Sequence, residues 1–166
     1  GRLAPRFGQA RIDLIAANAV MAGCLPGHFP VIVSAVTAML DDSFNLLGVQ
    51  ATTHPCTIAL VLNGPVRHAL RMNLNGNAMG EGNLATATIG RAIRLIGRNI
   101  GGAVPGRADF TAQGSPARFS FAFGENEELS PFPAYHTTRG FTELDSTVTI
   151  FGCEGPHNVN DHSSNS

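Results

Sequence analysis

The stretch from Asn75 to Gly102, NGNAMGEGNLATATIGRAIRLIGRNIGG, restricts the fold more than any other part of the chain. It opens as a glycine- and asparagine-rich loop, becomes an apolar helix and ends at Gly101-Gly102. Ile89, Ala92, Ile93, Leu95, Ile96 and Ile100 cover much of the circumference of a helix over 83–100. Such a helix is expected at the centre of a fold rather than on its surface. Gly90 and Gly97 lie on nearly one side of it, and each costs ~1 kcal/mol relative to alanine in a helix interior. That pair predicts close approach by another backbone.

Arg91, Arg94 and Arg98 form one stripe on the same helix. On a mostly buried helix the stripe needs carboxylate partners, a ligand or water. Structural ion pairing is the commoner outcome, and Arg91, nearest the loop, is the strongest functional candidate. In the loop, Gly76, Gly80 and Gly82 permit backbone angles that turn N–H groups inward together. Asn83, Thr86 and Thr88 can cap the helix start. Gly80, Gly82, Asn83, Thr86 and Arg91 are therefore the expected binding set for a small anionic molecule. The alternative is a tight turn that only lets the helix pack. The loop is neither a phosphate-binding P-loop nor a dinucleotide fingerprint, because no lysine follows and the GxGxxG spacing is absent.

Elsewhere the chain reads as a single α+β domain over 1–166, with a small mixed sheet packed against the central helix. Helices are expected over Gln9–Ala22, His28–Leu40 and Val66–Met72, and strands over Asn45–Thr53, Thr57–Leu62, Ala117–Phe123 and Ser146–Phe151. IALVLNGPVRHAL and VTIFGCEGPHNVN both run strand, Gly-Pro, helix start, which suggests a pseudo-repeat. The start at Gly1 and the polar HSSNS end fit a processed product, or a segment or subunit of a larger enzyme.

Charged residues make up 14% of the chain with a net charge of −1, below the ~25% usual for soluble proteins. A surface so poor in charge is expected to be covered in part by a homo- or hetero-oligomeric partner. No basic patch points to nucleic acid and no apolar run is long enough for a membrane span. No secretory signal is recognisable, so a cytoplasmic location is expected. All 11 basic residues are arginine, which excludes lysine Schiff-base chemistry, covalent pyridoxal phosphate and a P-loop lysine.

The reactive groups are cysteines, histidines and the acidic run Glu125-Asn126-Glu127-Glu128. Cys24 with His54 or His157 as base would make a thiolate site, whereas Cys56 and Cys153, flanking strands, read as packing. His54, His157 and His162 with one of Glu125, Glu127, Glu154 or Asp161 would suit a divalent metal, zinc or iron, though their spacing matches no standard motif. Glu125 can serve as a general base. Glu125 or Glu127 can equally pair with Arg91 or Arg94. The expected reacting set is Cys24, His54, Glu125 and His157, in thiol-dependent or metal-assisted lyase, hydrolase or redox chemistry. The competing reading is a non-catalytic oligomeric scaffold.

VMAGCLPGHFPVI, GVQATTHPC, LVLNGP, ATIGRAIRLIGRNIGGAVPG, FAFGENEELSPF and TVTIFGCEGPHNVNDH occur in that order over nearly the whole chain. Together they resemble a bacterial family of hypothetical proteins. Some members are encoded beside small thioredoxin-like proteins with a selenocysteine- or cysteine-Gly-Ser-Cys motif (UGSC or CGSC). The family chain continues beyond a position like Ser166. The resemblance implies no role residue by residue; it favours thiol or redox chemistry with a thioredoxin-like partner, as enzyme or as partner subunit of a redox complex.

Overall fold

The computed structural model describes Gly1–Val159. The lead-in forms a small antiparallel hairpin, β1 (Arg2–Leu3) and β2 (Gly8–Gln9), in which Leu3 is fully buried. Helix α1 (Ile12–Ala22) stops at Gly23, whose φ of 90° is the left-handed cap that glycine adopts without a Cβ clash. Helix α2 (Phe29–Met39) carries Pro30 in its first turn, where an N–H has no helical partner to lose. It ends at Met39, and Asp41 N still donates to the Ala38 carbonyl at 3.1 Å. The Asp41 side chain accepts from Ser43 N at 2.9 Å as the cap of the next turn.

Residues 45–53 are not the expected strand. Leu46–Ala51 form helix α3. Asn45, with φ 51°, accepts from Gly48 N through its side chain and starts the helix. Leu46 and Gln50 then fall on one buried face, a spacing of four that suits a helix and not a strand. Strand β3 (Thr57–Asn63) follows, then the one-turn helix α4 (Val66–Ala69) and the central helix α5 (Leu84–Asn99).

The Ala117–Phe123 expectation holds only at its end, where β4 spans Ala122–Gly124; Pro116–Arg118 make a 3-10 turn. Side-chain demands outweigh the alternating pattern there. Arg118 is drawn inward to the Cys56 carbonyl at 2.5 Å, and the Ser120 hydroxyl donates to the Thr86 carbonyl at 2.9 Å. The last strand, β5, is Thr147–Cys153.

The sheet order is β4-β3-β5, with β4 parallel and β5 antiparallel to β3, so the sheet is mixed. Ile58, Leu60 and Leu62 face one side with Ile150 and Val148, and α2 and α5 pack there. Helix α1 lies along α5, which is thereby enclosed: Ile89, Ala92, Ile93 and Ile96 are essentially inaccessible. Close approach on the glycine side occurs at Gly90, where a Cβ would sit 2.5 Å from Phe121 N. Gly97 faces the end of the Gln50 side chain rather than a backbone, and a Cβ there would sit 3.3 Å from Gln50 Nε2, a tight contact the side chain must yield to. The pseudo-repeat keeps its two strands, which pair with each other, but Glu154–Val159 form no helix. No single helix among the described residues is long and apolar enough to cross a membrane.

Candidate functional site

From Gly82 to Gly124 the sequence holds five arginines and a single acid, Asp109. The fold gathers most of that imbalance in one place. Burying one face of α5 turns its arginine stripe toward the 103–119 segment. Arg91, Arg94, Leu95, Arg98, Pro105, Arg118 and Phe119 line a cleft there of about 330 Å³.

Asp109 lies buried beneath two of these guanidiniums, with its side chain 2% exposed. Its Oδ2 accepts from Arg94 at 2.8 Å and from the inward-facing Arg118, while Oδ1 accepts from Thr111 N at 3.3 Å. Arg118 also donates to the Cys56 carbonyl at 2.5 Å and to the Thr111 hydroxyl at 2.6 Å. Arg94 reaches the buried Gln50 at 3.3 Å. Burial alone would raise the Asp109 carboxyl, but hydrogen bonds from Arg94 and Thr111 and the charge of Arg118 outweigh it and hold the group below its ordinary value. Burial lowers Arg118 from its usual value, with Asp109 opposing and the like charge of Arg94 adding to the shift.

Two guanidiniums thus converge on one carboxylate oxygen. Arg91 and Arg98 stand exposed on the rim, so three of the four positive charges around the cleft have no acid to balance them among the described residues. Behind Arg94 and Arg118 a water-sized cavity of about 20 Å³ is lined by Gln50, Cys56, Thr57, Gly90 and Phe121. Cys56, read from the sequence as packing, is therefore the thiol nearest the arginine pair. Asp109, Arg118 and Phe119 were also missed. They fell in a stretch read as polar loop and strand, yet the lone acid among arginines was visible there.

The expected sets come together only in part. Arg91 lines the cleft, but Asn83 lies about 12 Å away along the α5 axis at ~1.5 Å per residue. Asn83 caps α5 through Thr86 N at 3.0 Å and ties the loop to the Arg71 carbonyl at 2.7 Å. Gly82, with φ 97°, sets the bend before it, and Gly80 packs against Asn77. The loop therefore serves the start of α5, while the guanidiniums serve the cleft.

The thiol of Cys24 donates to the Thr88 carbonyl of α5 at 3.3 Å, and burial pushes the thiol up from its usual pKa. Its neighbour at that junction is the buried His28, whose Nδ1 lies 3.2 Å from the Thr88 hydroxyl. His54 and His157 are at the other end of the sheet. His54 Nδ1 meets Glu154 at 2.9 Å, with both side chains largely exposed. His157 and Glu154 share a shallow groove with Pro55. No three His, Cys, Asp or Glu side chains gather into a metal-holding group among the described residues, so the histidine set proposed from sequence does not assemble there. His162 and Asp161 lie outside the described residues.

The acidic run pairs with neither Arg91 nor Arg94. It folds over Arg67, which is 4% exposed and uses all five N–H groups. These bond the carbonyls of Gly64 and Glu125 and the carboxylates of Glu127 and Glu128. Asn63, at the end of β3, donates to Glu125 at 2.5 Å and Glu127 at 2.8 Å, and Glu125 also accepts from Tyr135 N. Hydrogen bonds from Arg67, then His68, hold Glu128 down at about 2. Glu125 thus clamps the Pro-rich loop to the sheet instead of standing free as a base.

No protein-family model, curated protein or solved structure matches the chain.

Proposed function

We propose that this chain binds a small anionic molecule in the cleft between α5 and the 103–119 segment. The observation that carries the reading is the convergence of Arg94 and Arg118 on the single buried carboxylate of Asp109. A guanidinium taken out of water costs several kcal/mol unless it is paired. One carboxylate cannot neutralise two, and a bound anion supplies what is missing. Arginine forks match carboxylate and phosphate oxygens in pairs, so either group fits. Arg91 and Arg98 on the rim, which pair with no acid among the described residues, add attraction.

The test is isothermal titration with inorganic phosphate and sulfate at constant ionic strength, on the wild type and on Arg91→Gln/Arg98→Gln. The wild type is expected to bind and the double variant to bind at least about tenfold more weakly with unchanged melting temperature. Equal affinity for both proteins, or no heat with either anion, would refute the site.

The scaffold reading keeps one supporting observation: Leu129, Phe132 and Leu144 are 74–85% exposed near one shallow cleft over Glu127 and Glu128. Apolar groups so open are expected where another chain covers them. Light scattering after size exclusion decides this point, and a monomer at micromolar concentration would count against it.

A further inference from the structure

We infer that the anion this cleft takes is a dianion carried on a flat ring, with the ring lying against Phe119; the inference rests on the anion-binding reading above. Phe119 is 75% exposed although it is a large aromatic residue at the wall of a formed cleft. Its neighbour Arg118 is held inward, which fixes the backbone and turns the Phe119 ring outward beside the guanidiniums. Leu95 and Pro105 supply further apolar lining. A cleft of about 330 Å³ is at the lower end of the ~300–1,000 Å³ typical of small-molecule sites. Inorganic phosphate would satisfy the arginines and leave most of that space, and all of Phe119, in water.

The charge sets the valence. Asp109 balances one of the four guanidiniums, leaving three positive charges, of which a monoanion offsets one and a dianion two. The occupant that uses both the charge and the apolar lining is a phosphate monoester or dicarboxylate on an aromatic or heteroaromatic ring. Offset stacking on an aromatic side chain contributes beyond simple area burial, which separates a flat ring from a puckered one of equal size.

The experiment uses three probes on the full chain at fixed ionic strength: inorganic phosphate, cyclohexyl phosphate and phenyl phosphate. Each is titrated into the wild type and into Phe119→Leu, which keeps an apolar group at this exposed position. Phenyl phosphate is expected to bind the wild type about three- to tenfold tighter than cyclohexyl phosphate. In Phe119→Leu that preference disappears while the affinity for inorganic phosphate stays the same. Equal binding of the two ring compounds by the wild type, with inorganic phosphate still bound, overturns the ring inference and leaves the anion site standing. A preference that survives in Phe119→Leu overturns it too. Failure of all three probes to bind removes the anion site itself.

Discussion

Asp109→Asn isolates the electrostatics of the Arg94–Asp109–Arg118 cluster because it removes one charge and almost no volume. In the wild type, Asp109 Oδ2 accepts from both Arg94 and Arg118 in a site where the carboxylate is 2% exposed and Arg118 10% exposed. The amide leaves two like charges facing each other around a neutral group. Removing one member of a buried ion pair costs about 3–5 kcal/mol. For a chain of this size 1 kcal/mol is about 2–4 °C, so the melting temperature should fall by roughly 6–20 °C. Thermal melts in chloride and in sulfate, at equal ionic strength, provide the assay. A bound anion should recover part of the loss, with a larger sulfate-induced rise in the variant than in the wild type. The pH dependence has a definite sign. The folded Asp109 lies below its unfolded value of ~3.9, so its contribution is complete above about pH 4 and fades as pH falls through the folded value. The gap between wild type and variant must therefore narrow in acid. A loss below about 1 kcal/mol, or sulfate acting no differently from chloride, would refute the argument that two guanidiniums share one carboxylate at a cost.

Other expectations follow from separate parts of the fold. Gly90→Ala should destabilise by about 1–3 kcal/mol in urea melts despite alanine's better helix propensity, because its Cβ meets Phe121 N at 2.5 Å. Gly97→Ala, with 3.3 Å to the end of Gln50, should be neutral or stabilising by up to about 1 kcal/mol, and a loss matching that of Gly90→Ala would contradict the packing described. Asn45→Ala should cost about 1 kcal/mol or more through the lost cap and the left-handed backbone, and Asn45→Gly only a few tenths, read as melting temperatures. Acid titration followed by carboxyl NMR should place Glu128 at about 2; a midpoint near the ordinary value would remove the Arg67 and His68 bonds from the account. Burial raises the Cys24 and Cys153 thiols, so iodoacetate at neutral pH should label both slowly, and rapid labelling of Cys24 would restore the thiolate reading of that residue.

The sequence by itself determined the elements whose signals are local. The 3.6-residue repeat of Ile89, Ala92, Ile93 and Ile96 marked α5 as central, Gly23 closed α1, and the apolar run over 57–62 marked β3 as a strand, whose middle place in the sheet only the fold revealed. Glycine, proline and apolar spacing act within a turn or two of the residue that carries them. Where tertiary demands compete, local reading fails: Asn45 started a helix in a segment with strand-like composition, and Arg118 cut short an alternating strand to reach Cys56 and Asp109.

The site was legible only as an imbalance. One acid stands among five arginines between Gly82 and Gly124, but the partner that Asp109 would take depended on burying the opposite face of α5. Likewise, nothing local told the acidic run to choose Arg67 over Arg91; that choice followed when β3 carried Asn63 and α4 carried Arg67 to the end of the sheet. Charge pairing depends on distance in space and on the loss of water around the pair. Tertiary packing controls both, so composition could announce an arginine-rich site while only the fold decided which guanidiniums were paired and which were left facing the cleft.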